Sequence, residues 1–203
     1  MKAPLFHSIA LWVVVAATLA TSTGCASGPD AKGTVDSMGN LGVEIAKVKD
    51  SIDGTIAALE TVATTEAGDV QSKSKAFKQS VTALDAQSDV VRGHAEAMKV
   101  KGDAFFEARE GSATVSAERR AELSASYARI KEDMAVAKDE FTPFLASLKD
   151  IDSYLSLDPS LKGVQSMASL VEKAKGNGAQ VKSHIDAVLV QVNSVRGMLA
   201  TTK

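Results

Sequence analysis

The chain has 203 residues, 23 of them basic and 25 acidic, with a single cysteine and 4% aromatic residues. That balance excludes a basic footprint for nucleic acid, and one cysteine excludes an intrachain disulfide. A fold with so few aromatic rings must instead bury long stripes of medium-sized side chains.

Met1-Lys2 gives a short positive start, an apolar run covers 9–20, and small residues lead up to Cys25. This is the layout of a secretory signal peptide. At about 12 residues, roughly 18 Å as a helix, the run falls short of the ~30 Å hydrocarbon core of a bilayer. Ser22-Thr23-Gly24-Cys25 resembles a bacterial lipobox, with Ser22 standing where Leu is usual. The resemblance implies that 1–24 is removed and that the Cys25 thiol carries a diacylglycerol. Acyl chains at ~0.8 kcal/mol per buried methylene make a stable anchor. Ala26 follows the cysteine, where an Asp would resemble an inner-membrane retention signal. That points to the inner leaflet of an outer membrane, facing the periplasm. Removing 1–24 takes away Lys2 and no acid, leaving 22 basic against 25 acidic residues.

"ASGPDAKG" (26–33) carries Gly and Pro without periodicity, so 25–33 reads as the acylated cysteine and a flexible tether. A helical bundle domain is then expected over 34–203. Met38, Leu41, Ile45, Val48, Ile52, Thr55, Leu59 and Val62 step by three and four, which predicts a first helix over 34–64. Gly39 and Gly42 are expected to fray its start. After a break at 64–68, Asp69 is a candidate N-cap. The second stripe runs Val70, Ser74, Phe77, Val81, Leu84, Ser88, Val91, Ala95, Met98, Gly102, Phe105.

"REGSATVS" (109–116) interrupts before a third stripe, Leu123, Tyr127, Ile130, Met134, Ala137, Phe141, Phe144, Leu148, Ile151, Leu155, with Pro143 inside it. Asp158 and Pro159 predict the cap and first residue of a fourth helix, whose stripe runs from Val164 to Leu199. Gly176-Asn177-Gly178 is its weak point, a bend or a small-residue contact between helices. Four heptad stripes and short breaks specify an all-α, antiparallel up-down-up-down four-helix bundle with coiled-coil-like packing. The first helix is the shortest, so one end of the bundle is expected to hold three helices. Counting from the turns puts Phe77 and Phe144 in one aromatic layer with touching rings. Thr55 would make room for them, and Phe144 would face Val171 and Ala174.

Gly68-Asp69-Val70, the Phe105-Phe106 pair and "PFLASLKDIDSYL" (143–155) resemble a bacterial exported family, domain of unknown function 2959. The tryptophan associated with that family after the Phe pair is absent here, with Arg109 nearby instead, and "SLDPS" replaces an Asn-containing turn. The resemblance implies a helical exported protein and transfers no catalytic residue.

His94 and His184 are the weak candidates for a metal site, since the topology places them at similar height with Glu132 and Asp133 near that level. Both flank stripe positions, and no Glu-x-x-His spacing occurs, so the reading assigns no metal and no cofactor. Nothing resembles a nucleophile elbow, and "GNG" has neither the strand nor the Lys of a phosphate loop. Phe106 offers either a partner contact or packing at the bundle end. The sequence therefore points to a non-enzymatic, lipid-anchored envelope protein. Its role is structural or interactive, through a protein partner or self-association, with the membrane held by Cys25 and no nucleic acid bound. The alternative is a periplasmic binding module for a small apolar ligand or a metal.

Overall fold

A computed structural model describes residues 31–66, 68–110 and 116–200, which form five α-helices and, among them, no strand. They are α1 (Ala31–Ala63), α2 (Val70–Glu107), α3 (Ala117–Leu157), α4 (Leu161–Ser166) and α5 (Ala168–Ala200). The long helices close a ring in which α1 packs on α2, α2 on α3, α3 on α5 and α5 on α1. Each neighbour runs antiparallel, as the short connections require. The chain is the expected four-helix bundle, with its fourth arm made of two helices.

The predicted stripes form the core. From Met38 to Val62 on α1 and from Val171 to Leu199 on α5, the predicted apolar stripe residues are buried. Gly39 and Gly42 do not fray α1. The Arg196 guanidinium lies 3.1 Å from where a Gly39 side chain would begin, and Val192 lies 3.7 Å from the same point on Gly42. The α2–α3 seam is packed less tightly. Over 85–97 of α2 and 131–143 of α3 no residue is fully buried, so Ser88, Val91, Ala95, Met134, Ala137 and Phe141 are half-buried where full burial was expected. Thr55 sits inside the core with its hydroxyl donating to the carbonyls of Ser51 (2.8 Å) and Ser80 (3.3 Å), which removes the cost of burying it.

The helix ends bear out one sequence expectation in position and correct two others. Asp69 occupies the N-cap of α2, yet its side chain makes no capping bond. Asp158 ends α3 instead of starting a helix. Ser160 is the cap of α4, accepting the Gly163 N–H at 3.1 Å. Pro159 thus precedes the cap. A side chain on Gly163 would begin 2.3 Å from the Asp158 carbonyl, so only glycine allows this fold-back.

The fourth arm breaks at Met167, while 176–178 is continuous helix. Ser166 donates its hydroxyl to the Gly163 carbonyl at 2.7 Å, and the Met167 N–H goes to Val164 instead, at 3.1 Å. A side chain competing for a backbone acceptor unwinds the turn. The short α4 touches α1, α3 and α5, closing the end of the bundle with Val164 and Met167 buried beneath it.

That break resets the register. The fold-back at Gly163 and the break at Met167 lie between the turn and α5, and α5 sits about one helical turn further along the chain against α3 than turn-counting suggested. Phe144 packs against Gly178, one helical turn beyond the Ala174 that turn-counting set opposite it. A Cβ on Gly178 would sit 3.2 Å from the Phe144 ring and 3.5 Å from Ile56. The Phe144 ring meets Phe141 at 6.2 Å, while Lys78, next to Phe77, pairs with Asp152 about two turns beyond Phe144, so the expected Phe77–Phe144 layer is not formed. Gly178, not Thr55, makes room for Phe144. The small-residue contact expected of the Gly-Asn-Gly stretch is there, and the bend is not.

The two glycines of that stretch should respond in opposite directions. Gly176 is exposed with nothing within 4 Å, so Gly176→Ala should stabilise by about 0.5–1 kcal/mol through helix propensity. Gly178→Ala should destabilise by about 1–2 kcal/mol, because the fully buried Phe144 ring has nowhere to move. Urea titrations followed by helical circular dichroism read both, and equal signs would contradict the packing.

Candidate functional site

At the end of the bundle where α2 leaves and α3 returns, aromatic and charged side chains form one connected clasp. Tyr127 on α3 is pulled in against α2 by Gly102. A side chain there would begin 2.4 Å from the Tyr127 hydroxyl, so any other residue would push the ring out. The hydroxyl donates, shared between the Lys99 carbonyl and Asp103 Oδ1, at 3.1 Å each. Lys131 Nζ reaches the same Asp103 oxygen at 2.9 Å and lies 4.7 Å from the Tyr127 ring centre. Phe106 stacks on Tyr127 at 4.7 Å with ring planes 20° apart. Phe105 meets Phe106 edge-on at 5.2 Å, and the Arg109 guanidinium covers Phe105 at 4.3 Å.

The electrostatics follow from this geometry. The hydrogen bond from Lys131 holds the Asp103 carboxyl below its ordinary range, with the Tyr127 hydroxyl adding to it. Burial pushes the Tyr127 phenol well above its ordinary value, and the Asp103 charge beside it adds to the shift. Tyr127 is therefore a donor held neutral. Beside these groups lies an open cleft of about 460 Å³, with Phe106, Leu123, Tyr127 and Leu199 among its walls and Arg109 and Glu110 also lining it. Its described walls come from α2, α3, the turn after α2 and α5, none from α1. Phe106, half-buried, is the stacking partner of Tyr127 and one side of this cleft.

The structure does not bring the two histidines into one site. His184 Nε2 lies 3.2 Å from Glu140, two helical turns beyond Glu132 and Asp133, the same register shift that sets Phe144 against Gly178. His94 acts on Glu44 of α1, whose carboxyl is lowered chiefly by hydrogen bonds from Lys47 and Gln87. Among the described residues, no three His, Cys, Asp or Glu side chains come together in a way that could hold a metal ion. No helix among them is long and apolar enough to cross a membrane. Cys25 lies outside the described residues, as does most of the turn at 109–116. Sequence reading placed Gly102, Phe105 and Tyr127 on their stripes but did not join them. Counting from the turn does not pair them, because Gly102 stands five residues before the end of α2 and Tyr127 ten residues after the start of α3. No family model, no curated protein and no solved structure matches this chain.

Gly102→Ala should cost about 2–3 kcal/mol by driving Tyr127 from its pocket. The clasp also sets a pH window. Asp103 has a lowered folded pKa, so its contribution is present above the ordinary carboxylate range and is lost as pH falls through the depressed value. Tyr127 has a raised folded pKa, so its contribution is present below the ordinary phenol value of about 10 and is lost as pH rises beyond it. Thermal melts should therefore show a plateau between these limits. Tyr127→Phe should lower the plateau and flatten the decline above about pH 10. An unchanged alkaline decline would show that Tyr127 is not held neutral by the fold.

Proposed function

We propose that this is a lipid-anchored protein of the bacterial envelope, carried on the inner leaflet of an outer membrane by acyl chains on Cys25, with a non-enzymatic structural or protein-interaction role. The observation that carries the reading is the Ser22-Thr23-Gly24-Cys25 stretch behind an apolar run, a few residues ahead of the start of α1 at Ala31. The N-terminus of α1 lies at the same end of the rod as the aromatic clasp, because α1 and α2 are antiparallel and α2 ends there. An anchor at Cys25 then sets that end toward the leaflet and the α4 end away from it. At 33 to 41 residues the long helices make a rod roughly 50–60 Å long, a suitable spacer or scaffold. Membership of domain of unknown function 2959 is part of this proposal and rests on the residues quoted for it.

Intact-mass analysis of protein extracted from membranes should show residues 1–24 gone and a diacylglyceryl adduct on Cys25. Cys25→Ser should lose the adduct and leave the membrane fraction. A wild-type protein that keeps 1–24, or carries a free Cys25 thiol, would sink the reading.

The cleft beside Phe106 favours a second function, a binding module for a small apolar ligand. Native mass spectrometry should then show a stoichiometric ligand copurifying with the wild-type chain and absent from Phe106→Ala. Wild-type protein that is ligand-free after gentle extraction would remove this alternative.

A further inference from the structure

Helix α2 carries a second heptad stripe that its own bundle does not use. Ala83, Ala86, Val90, Gly93, Ala97, Val100 and Ala104 step by three and four without a break, and every one of them is exposed. At 100° per residue this stripe lies on the far side of α2 from the core residues Leu84, Val91 and Met98. Val100 is 68% exposed and Val90 44%, so the face is apolar and open, not merely small. The comparable run on α3, from Ala121, stops at Glu132. The centre of the α2 stripe falls within 85–97, the stretch that its own bundle grips least.

We infer that this face pairs with the same face of a second copy of this chain, in parallel, as a short two-stranded coiled coil. Charge selects both the partner and the direction. Asp89 and Glu96 flank the stripe on one side, His94 and Lys101 on the other. In a parallel pair each residue of the first flank meets the residue five places on in its partner. Asp89 then faces His94 of the second copy, and Glu96 faces Lys101 of the second copy, twice over by symmetry. In an antiparallel pair Asp89 would face Glu96, which is repulsive. Asp89 also holds Arg92 on its own helix at 2.9 Å, and Glu96 and Lys101 make no ion pair within the described chain.

The pairing deepens the lipid-anchor reading and gains from it. Two copies anchored in one leaflet stand in the same direction, as a parallel seam needs. The stripe is about 32 Å long at 1.5 Å per residue, so the contact buries on the order of 700 Å², below the ~1,200 Å² at which interfaces become stable alone. The dimer is therefore weak in solution. Confinement to one leaflet raises the effective concentration that it requires.

Single cysteine substitutions in full-length protein carrying Cys25→Ser test the seam without involving the anchor. Oxidised at high concentration, Ala83→Cys and Ala104→Cys should each form a disulfide dimer alone, because each position meets itself in a parallel pair. Ser153→Cys on α3 should not. Glu96→Lys should cut the Ala104→Cys yield about fivefold, and adding Lys101→Glu should restore it. Circular dichroism of each variant shows that the bundle is intact. Dimer only on mixing Ala83→Cys with Ala104→Cys would overturn the parallel pair, and no dimer in any combination would overturn the pairing. Retaining Cys25 should raise the Ala104→Cys yield in membranes. If cross-linking occurs but Cys25 adds nothing, the pair stands and the anchor fails. If mass analysis finds the acyl adduct and no cross-link forms, the anchor stands and the pair fails.

Discussion

The ring of Phe144 lies against Gly178, with Ile56 of α1 closing the other side, and the register of the bundle depends on that contact. An antiparallel bundle built from heptads can slide by whole turns with little change in its apolar pattern. A large ring that fits only where the facing helix has no side chain removes that freedom. With α3 and α5 fixed there, Glu140 meets His184. Between α5 and α1 a ladder then forms in which Lys49 pairs with Asp186, Lys182 with Asp53 and Lys175 with Glu60. Exposed ion pairs of this kind are individually weak. They follow the register rather than set it.

The two ends of the rod are closed differently. At one, α4 crosses the bundle and buries Val164 and Met167, with Gly163 and Ser166 making the fold-back and the break. At the other, nothing among the described residues crosses, and an aromatic clasp holds α2 to α3. Gly102 serves that clasp as Gly178 serves the core, by letting a ring approach the backbone. Between the clasp and the buried residues near Pro143 the α2–α3 seam is only half-closed, and Lys149 on Asp85 at 2.7 Å ties the two helices beyond that stretch. A bundle with one loose seam and a spare apolar face on the same helix is suited to contact with another helix.

Much of this was legible in the sequence, for physical reasons that also mark where legibility ended. Heptad spacing reports which face of a helix is buried, so the stripes on α1 and α5 and the breaks at 64–69 and 109–116 could be read directly. It does not report the distance between facing helices, and the half-burial of Val91, Ala95 and Met134 was invisible. The register of α5 against α3 was misread because turn-counting assumes an unbroken fourth helix. The fourth arm instead folds back at Gly163 and breaks at Met167, beside a hydroxyl bond from Ser166 that no periodicity encodes. The clasp escaped notice because its members were each read as core. Joining them required the depth to which Tyr127 reaches over Gly102. Cys25 stands apart: its reading comes from chemistry and position alone.

The central claim is the register that Phe144 and Gly178 impose on α3 and α5. It is tested most directly by intramolecular cross-linking with a short bifunctional maleimide, using paired cysteines in full-length protein carrying Cys25→Ser. Glu140→Cys with His184→Cys should cross-link within one chain in high yield, and Glu132→Cys with His184→Cys should not, since it lies about 12 Å further along the helix at 1.5 Å per residue. Efficient cross-linking of the second pair and not the first would contradict the account.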